Sequence, residues 1–247
     1  MTGGTADEVA AQAPRTLAEA VYRQLRMDIL WGQLAPGSAL RSDELRARYA
    51  IGVSPLREAL SRLAAERLVT TVGQRGFRVA SLTADDVRDT METRVVIEAA
   101  ALRQAIGNGG IEWETEIVAS LHALSLVKPP RKPGPEAEQW AGLHRNFHLA
   151  LVGACGSRWQ TEFAALLFDQ AERHRILAHM APEARHGRDR SVEHQAIAEA
   201  VLSRDADAAV EALTRHYRLT AEQVVKEHSR CGRFAPSSES RSIRKTA

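Results

Sequence analysis

Nine histidines and a scatter of arginines carry most of the chemistry that this 247-residue chain can offer. His144 and His148, in WAGLHRNFHLAL, are four residues apart, which sets both imidazoles on one face of a helix. His194 lies in SVEHQAIAEAV, where Ile197 and Val201 put it beside an apolar stripe, and His216 follows Leu213 by three residues in ALTRHYRLTA. Four imidazoles from three helices could meet inside one bundle, as metal sites in helical bundles are built. Nitrogen-only ligation suits a divalent Zn²⁺ or Ni²⁺ and is a poor home for Mg²⁺ or Ca²⁺. The competing reading is coincidence, with each ring simply hydrogen-bonded near a core. His122, His174, His179, His186 and His228 are expected at the surface or partly buried, His174 being flanked by Arg173 and Arg175.

The alternative to a binding site is a metal-dependent hydrolase in a helical bundle with an appended DNA reader. Against it, Arg145 follows His144, so this is not His-Glu-x-x-His, and no adjacent carboxylate is at hand as a general base. No nucleophile elbow, phosphate loop or pair of carboxylates stands out, and the chain is read as a non-enzyme. Cys155 and Cys231 form neither a disulfide framework nor a metal-ligand spacing, and suit a reducing cytosol. No apolar run approaches the ~18 residues of a membrane span. The start, MTGGTADEVA, lacks the basic-then-apolar order of a secretory signal. A soluble cytoplasmic protein with no membrane partner is expected.

A second stretch with chemistry is Ser42 to Val79, SDELRARYAIGVSPLREALSRLAAERLVTTVGQRGFRV. Ser42 reads as the N-cap of a short helix with Asp43 and Glu44 in its first turn. Ser54-Pro55 reads as the cap and first position of another, with Leu56, Leu60, Leu63 and Ala64 on one face. Two β-rich runs follow, joined by Gly73-Gln74-Arg75-Gly76. Helix, turn, helix and hairpin make a winged helix-turn-helix, which lays its second helix in the major groove of double-stranded DNA. Charge agrees: residues 15–80 carry +5, against −5 over residues 81–228.

The elements that would position the histidines are all helical, in keeping with an aromatic share of only 5%. Thr16 opens a first helix to about Trp31 with Leu17, Val21, Leu25, Ile29 and Leu30 on one face. Thr83 caps a long helix that stops at Gly107, and five more are expected at about 112–127, 136–152, 158–179, 187–203 and 206–227. Between them, 128–135 reads as a Pro-rich loop. The expected fold is mostly α: a disordered tail (1–14), a winged helix-turn-helix (15–80), an all-α antiparallel bundle that binds an effector and dimerises (81–228), and a basic disordered tail (229–247).

PLREAL (Pro55 to Leu60), RLAAERLV (Arg62 to Val69) and RGFRV (Arg75 to Val79) resemble the GntR family of bacterial transcription regulators. TRVVIEAAA (Thr93 to Ala101) and the later histidines resemble its FCD subgroup, whose effector domain is a helical bundle. A narrower resemblance is to glutarate-responsive repressors of that subgroup; it rests on RYAIGVSPLREAL, LVTTVGQRGFRVAS and the Gly-Cys-Gly-Ser break at Gly153 to Ser157. Many FCD domains hold a metal through Asp-x-x-x-His on one helix and a His on each of two later ones. The matching positions are His144, His148, His194 and His216, with His144 where the larger group has Asp.

The resemblance also implies a homodimeric repressor on a palindromic operator, released by a small, glutarate-like carboxylate bound at the metal. Arg57 matches the recognition-helix arginine and is the first choice for reading guanine. Ser54 would hold phosphate, and Arg75-Gly76 the minor groove. Arg41, Arg48 and Arg62 complete the DNA-facing set, although solvated cations are as good a reading of Arg48 and Arg62. Val53 stands where relatives have a DNA-contacting arginine, which puts their operator sequence in doubt. For the effector's far carboxylate the arginine expected is Arg94, which should face inward with Val95 and Glu98, followed by Arg173 and Arg175. A structural ion pair between Arg94 and a Glu competes with that role.

Overall fold

The computed structural model describes residues 16–73, 76–130, 132–179 and 188–232. Arg75, His186, the side chain of His179 and most of both tails lie outside the described residues. The described residues form two compact units: one runs up to Ile29 and includes Ser38–Ala80, the other comprises Leu30–Gly37 and the described residues from Ser81.

The first unit contains α1 (Leu17–Leu30), β1 (Ala39–Leu40), α2 (Ser42–Tyr49), α3 (Val53–Ala65), β2 (Val69–Thr71) and β3 (Phe77–Val79). Its core is made by Val21, Leu25 and Ile29 of α1, Leu45 of α2, and Leu56, Leu60 and Leu63 of α3, all buried. Each such side chain removed from water contributes roughly 1.5–3 kcal/mol. Leu17, expected on the same face, is 60% exposed because α1 begins there and its first turn reaches past the core.

Both expected caps shift. Arg41, in extended conformation, is the N-cap of α2, and Ser42 is already helical. Gly52 is the N-cap of α3, which puts Ser54 and Pro55 inside its first turn. A proline is tolerated there, since the first N–H groups of a helix have no intrahelical acceptor. The sheet has three strands in the order β1-β3-β2, with Thr70 opposite Arg78 and Leu40 opposite Phe77. β1, a two-residue strand, is too short for a period to reveal and exists through its pairing with β3.

The second unit contains α4 (Ala84–Asn108), α5 (Ile111–Ser125), α6 (Pro135–Val152), α7 (Arg158–His179), α8 (Arg190–Leu202) and α9 (Ala206–Arg230). Thr83 caps α4 as expected, its hydroxyl accepting from the Asp86 amide at 3.0 Å. α4 runs through Gly107 and ends at Gly109. A side chain at Gly109 would sit 2.1 Å from the Trp113 ring, so close packing of that indole on the turn requires glycine. α6 starts at Pro135, at its first position. α9 continues to Arg230, into the stretch expected to be a tail. α4 packs against α9 and α7, α8 against α9, and α5 against α6. Met91, Leu102, Phe147, Leu151, Ile197, Leu213 and Tyr217 fill the space between them.

Candidate metal centre

α6 carries its apolar stripe on Trp140, Phe147 and Leu151, and the same buried side carries His144 and His148. His194 comes from α8 and His216 from α9, and all four side chains are 4% exposed or less. One nitrogen from each ring can be chosen so that the four lie within 4.8 Å of one another. His144 Nε2 and His148 Nε2 are 3.2 Å apart.

The opposite nitrogens face polar partners. His216 Nδ1 is 2.7 Å from Glu193 Oε2, a carboxylate also held by Arg188. His148 Nδ1 is 3.3 Å from the Tyr217 hydroxyl, which donates to Glu98 Oε2 at 2.6 Å. His144 Nδ1 is 3.5 Å from Glu172 Oε2, and Arg175 Nε donates to that carboxylate at 2.7 Å. A carboxylate behind His216 and a phenol behind His148 fix tautomer and orientation, leaving Nε2 to point inward, whereas His144 Nδ1 makes no hydrogen bond. His194 Nε2 is buried with no hydrogen-bond partner, a state native proteins rarely leave unexplained.

Burial holds the imidazoles neutral. His144, His148 and His194 are pushed well below the usual range, first by desolvation and then by neighbouring cations and rings. His216 falls to about 4 for the same first reason, although Glu193 opposes the shift. Glu193 itself drops to about 2: burial alone would raise it, and the hydrogen bonds from His216 and Arg188 outweigh that. Neutral, converging imidazoles with anionic backing are what a divalent cation requires. The cluster therefore fits a metal ion, which it would hold through nitrogen donors alone.

The arginines divide by partner. Arg94, buried as expected, donates to Glu98 (2.7 Å) and to the Tyr217 hydroxyl (2.7 Å), so the competing ion pair with a glutamate is present. Arg175 binds Glu172 and lies over the Trp140 ring at 4.4 Å, while its Nη1 is buried without a hydrogen-bond partner. Arg173 turns elsewhere, to the Ser81 carbonyl and Asp86, both at 3.5 Å. Arg190 lies beside the centre; burial and the neighbouring Arg175 and Arg188 bring it down to about 10. A cavity of about 160 Å³ reaches His194 past Trp140, Arg190, Ser191, Leu121 and Lys128.

One expectation about this unit fails. His174 and His228, expected at the surface or partly buried, are fully buried: α7 passes through the interior from Ala171 to Ala178, and His228 of α9 packs on it, its Nε2 donating to the His174 carbonyl. Carboxylates do reach the histidines, yet they stand on the Nδ1 side and are tied to arginines. Glu172, Glu193, Tyr217 and Arg188 were not read from sequence, whereas Glu98 was expected to face inward with Arg94 and does. Glu193 and Tyr217 adjoin ligand positions in the chain, but each serves a histidine on another helix.

In the first unit, Arg57 is exposed on α3 with no polar partner among the described residues, and Ser54 and Val53 are exposed near it. Arg41 pairs with Glu44, Arg48 with Asp28, and Arg62 with Glu19 while lying over Tyr22. Gly76 closes the wing turn, its carbonyl accepting from Val72 N–H at 2.9 Å.

Residues 17–79 match the model for bacterial regulatory proteins of the gntR family, and residues 89–219 match that for the FCD domain. The chain belongs to the GntR family of transcription regulators, with an FCD domain behind its winged helix-turn-helix. It is 43% identical to the HTH-type transcriptional regulator BphR of Paraburkholderia xenovorans (strain LB400), over 82% of each chain. It is 40% identical to the HTH-type transcriptional repressor GlaR of Escherichia coli (strain K12), over 79% of this chain and 90% of that one. The solved structure of E. coli McbR/YncC superposes with a TM-score of 0.67 at 20% identity, covering 86% of this chain and 99% of the other, which shows the fold. These relatives are regulators and not enzymes, which disposes of the hydrolase alternative. Among the described residues no helix is long and apolar enough to cross a membrane.

Proposed function

We propose that this protein is a metal-dependent, ligand-gated repressor. As a homodimer it holds a pseudo-palindromic operator, and a small dicarboxylate of the glutarate type releases it. The metal, zinc or nickel, is held by His144, His148, His194 and His216. The observation that carries this reading is the convergence of four buried imidazoles, two of them held on Nδ1 by Glu193 or Tyr217. When bound, the metal offers a Lewis-acidic point to which a carboxylate oxygen can add.

The far carboxylate needs a donor, and Arg175 supplies one through its buried Nη1, with Arg190 beside it. Arg94 is committed to Glu98 and Tyr217, so its part is to hold the phenol against His148. Arg57 is the base-reading residue, with Ser54 on phosphate and Arg75-Gly76 in the minor groove. The repressor sign follows the similarity to a relative named as a repressor. Release requires only that the effector bind the conformation that leaves DNA more tightly than the one that holds it.

The test is calorimetric titration of zinc-loaded protein with C4 to C6 dicarboxylates, followed by operator binding at saturating ligand. Binding of glutarate in the micromolar range, lost in His148→Ala and accompanied by operator release, supports the reading. A fully metallated protein that binds none of these acids refutes the effector assignment and leaves the DNA-binding role standing.

A further inference from the structure

One turn of α7, Glu172-Arg173-His174-Arg175, places four consecutive ionisable side chains in the interior at 6%, 2%, 0% and 4% exposure. Burying such a run is costly unless every member has a task. Glu172 and Arg175, three apart and so on one helical face, have theirs at the histidine centre: His144 Nδ1 is 3.5 Å from the first and the Trp140 ring lies under the second. Arg173 and His174 reach instead toward the start of α4. Arg173 Nη2 lies 3.5 Å from Asp86 Oδ2 and donates to the Ser81 carbonyl. His174 Nε2 lies 3.4 Å from the same Asp86 oxygen. Asp86 belongs to the first turn of α4, whose Thr83 cap bonds the Asp86 amide, and Ser81 is in the segment leading into that turn. The carbonyl of His174 is in turn held by His228 Nε2 of α9 at 2.9 Å.

We propose that this turn is a transmission element: it ties the metal centre, through Glu172 and Arg175, to the Ser81–Asp86 segment, through Arg173 and His174. Arg173 and Asp86 are thus positioning residues that act on the entry to α4 and bind neither metal nor effector. The proposal rests on the metal reading above and assigns a function to buried charges which that reading leaves idle. Because 172 to 175 are one rigid helical turn, a shift of Glu172 as His144 takes up a ligand cannot leave Arg173 and His174 in place.

The test uses the full-length chain with Zn²⁺ alone as probe and reads hydrogen exchange at the amides of Asp86, Val87 and Arg88. Zinc should slow exchange there about tenfold or more in the wild type, roughly 1.4 kcal/mol of added local protection. In Asp86→Asn the zinc-dependent slowing should fall below about twofold, with zinc affinity within about threefold of wild type and Asp86→Glu restoring the effect. The Asp86 side chain is half-exposed, so its change leaves no new buried cavity. Arg173→Lys, which keeps the charge and loses the fork, should give the same result by an independent route. Undiminished slowing in both variants, or none in a wild-type protein with zinc bound, overturns the proposal alone. Failure of the wild type to bind zinc removes the metal reading, and the proposal with it.

Discussion

Glu193 Oε2 stands 2.7 Å from His216 Nδ1, although the two lie on α8 and α9 and Glu193 is adjacent in sequence to a different member of the cluster, His194. The carboxylate orients the imidazole so that Nε2 faces the other three rings. Replacing Glu193 with Gln removes that anionic support while sparing the volume. Metal affinity should drop about 10- to 100-fold, whereas His216→Ala, which deletes a ligand, should cost more. Competition against a chromophoric chelator measures both; equal affinities in wild type and Glu193→Gln would deny the backing role.

The metal-free protein should lose stability as the solution is acidified. His216 is held at about 4 and its three partners well below their ordinary value, while in the unfolded chain each titrates near 6.5. Below pH 6.5 the unfolded state therefore binds more protons, and stability falls by roughly 1 kcal/mol per pH unit for each histidine that titrates only on unfolding. It is fully present above pH 6.5 and eroded between 6.5 and 4. Urea unfolding at pH 7.5, 6 and 5 checks this, and His216→Asn should flatten the slope. Saturating zinc should raise stability at pH 7.5 and be progressively displaced on acidification.

Arg57→Ala should cost operator affinity about 10- to 100-fold, on the scale of one bidentate base contact, with relaxed preference at one base pair. Arg62 and Arg48 are engaged by Glu19 and Asp28 within their own unit. Arg62→Ala should weaken binding less, uniformly across sequences, and change stability by no more than about 1 kcal/mol, since that pair is solvent-accessible. Fluorescence anisotropy with the operator and a set of single-base variants separates the two behaviours.

Gly109→Ala should destabilise the bundle by about 1–3 kcal/mol, lowering the melting temperature by several degrees. The added carbon would meet the Trp113 ring at 2.1 Å and push it off the Ala150 carbonyl, to which its Nε1 donates at 2.8 Å. Gly110→Ala next to it meets nothing within 4 Å and is the matched control. Similar melting temperatures for the two variants would refute the packing account.

Much of this molecule is written in local pattern. The 3.6-residue periodicity of Leu56, Leu60 and Leu63, the Thr83 cap and the breaks around Gly109 and Gly153 mark helices because backbone hydrogen bonds and side-chain faces are settled within a few residues. His144 and His148 share a face for the same reason. The caps at Ser42 and Ser54 shifted by one or two residues, since a serine is accepted on either side of a helix start. β1 escaped notice because two residues have no period, and its existence depends on β3, thirty-seven residues later.

The surroundings of the histidines belong to the other category. That His194 and His216 meet the α6 pair follows from how α8 and α9 pack, and periodicity says only that each faces some core. Nothing near His148 in sequence points to Tyr217, nor near His144 to Glu172. His174 and His228, polar and flanked by charge, are fully buried because α7 threads the interior and His228 of α9 packs on it, a matter of which helices surround it. Local sequence establishes helices, their faces and the residues able to bind a metal. Long-range packing alone establishes which carboxylate backs which ring, because those contacts are made between helices and are encoded in no single segment.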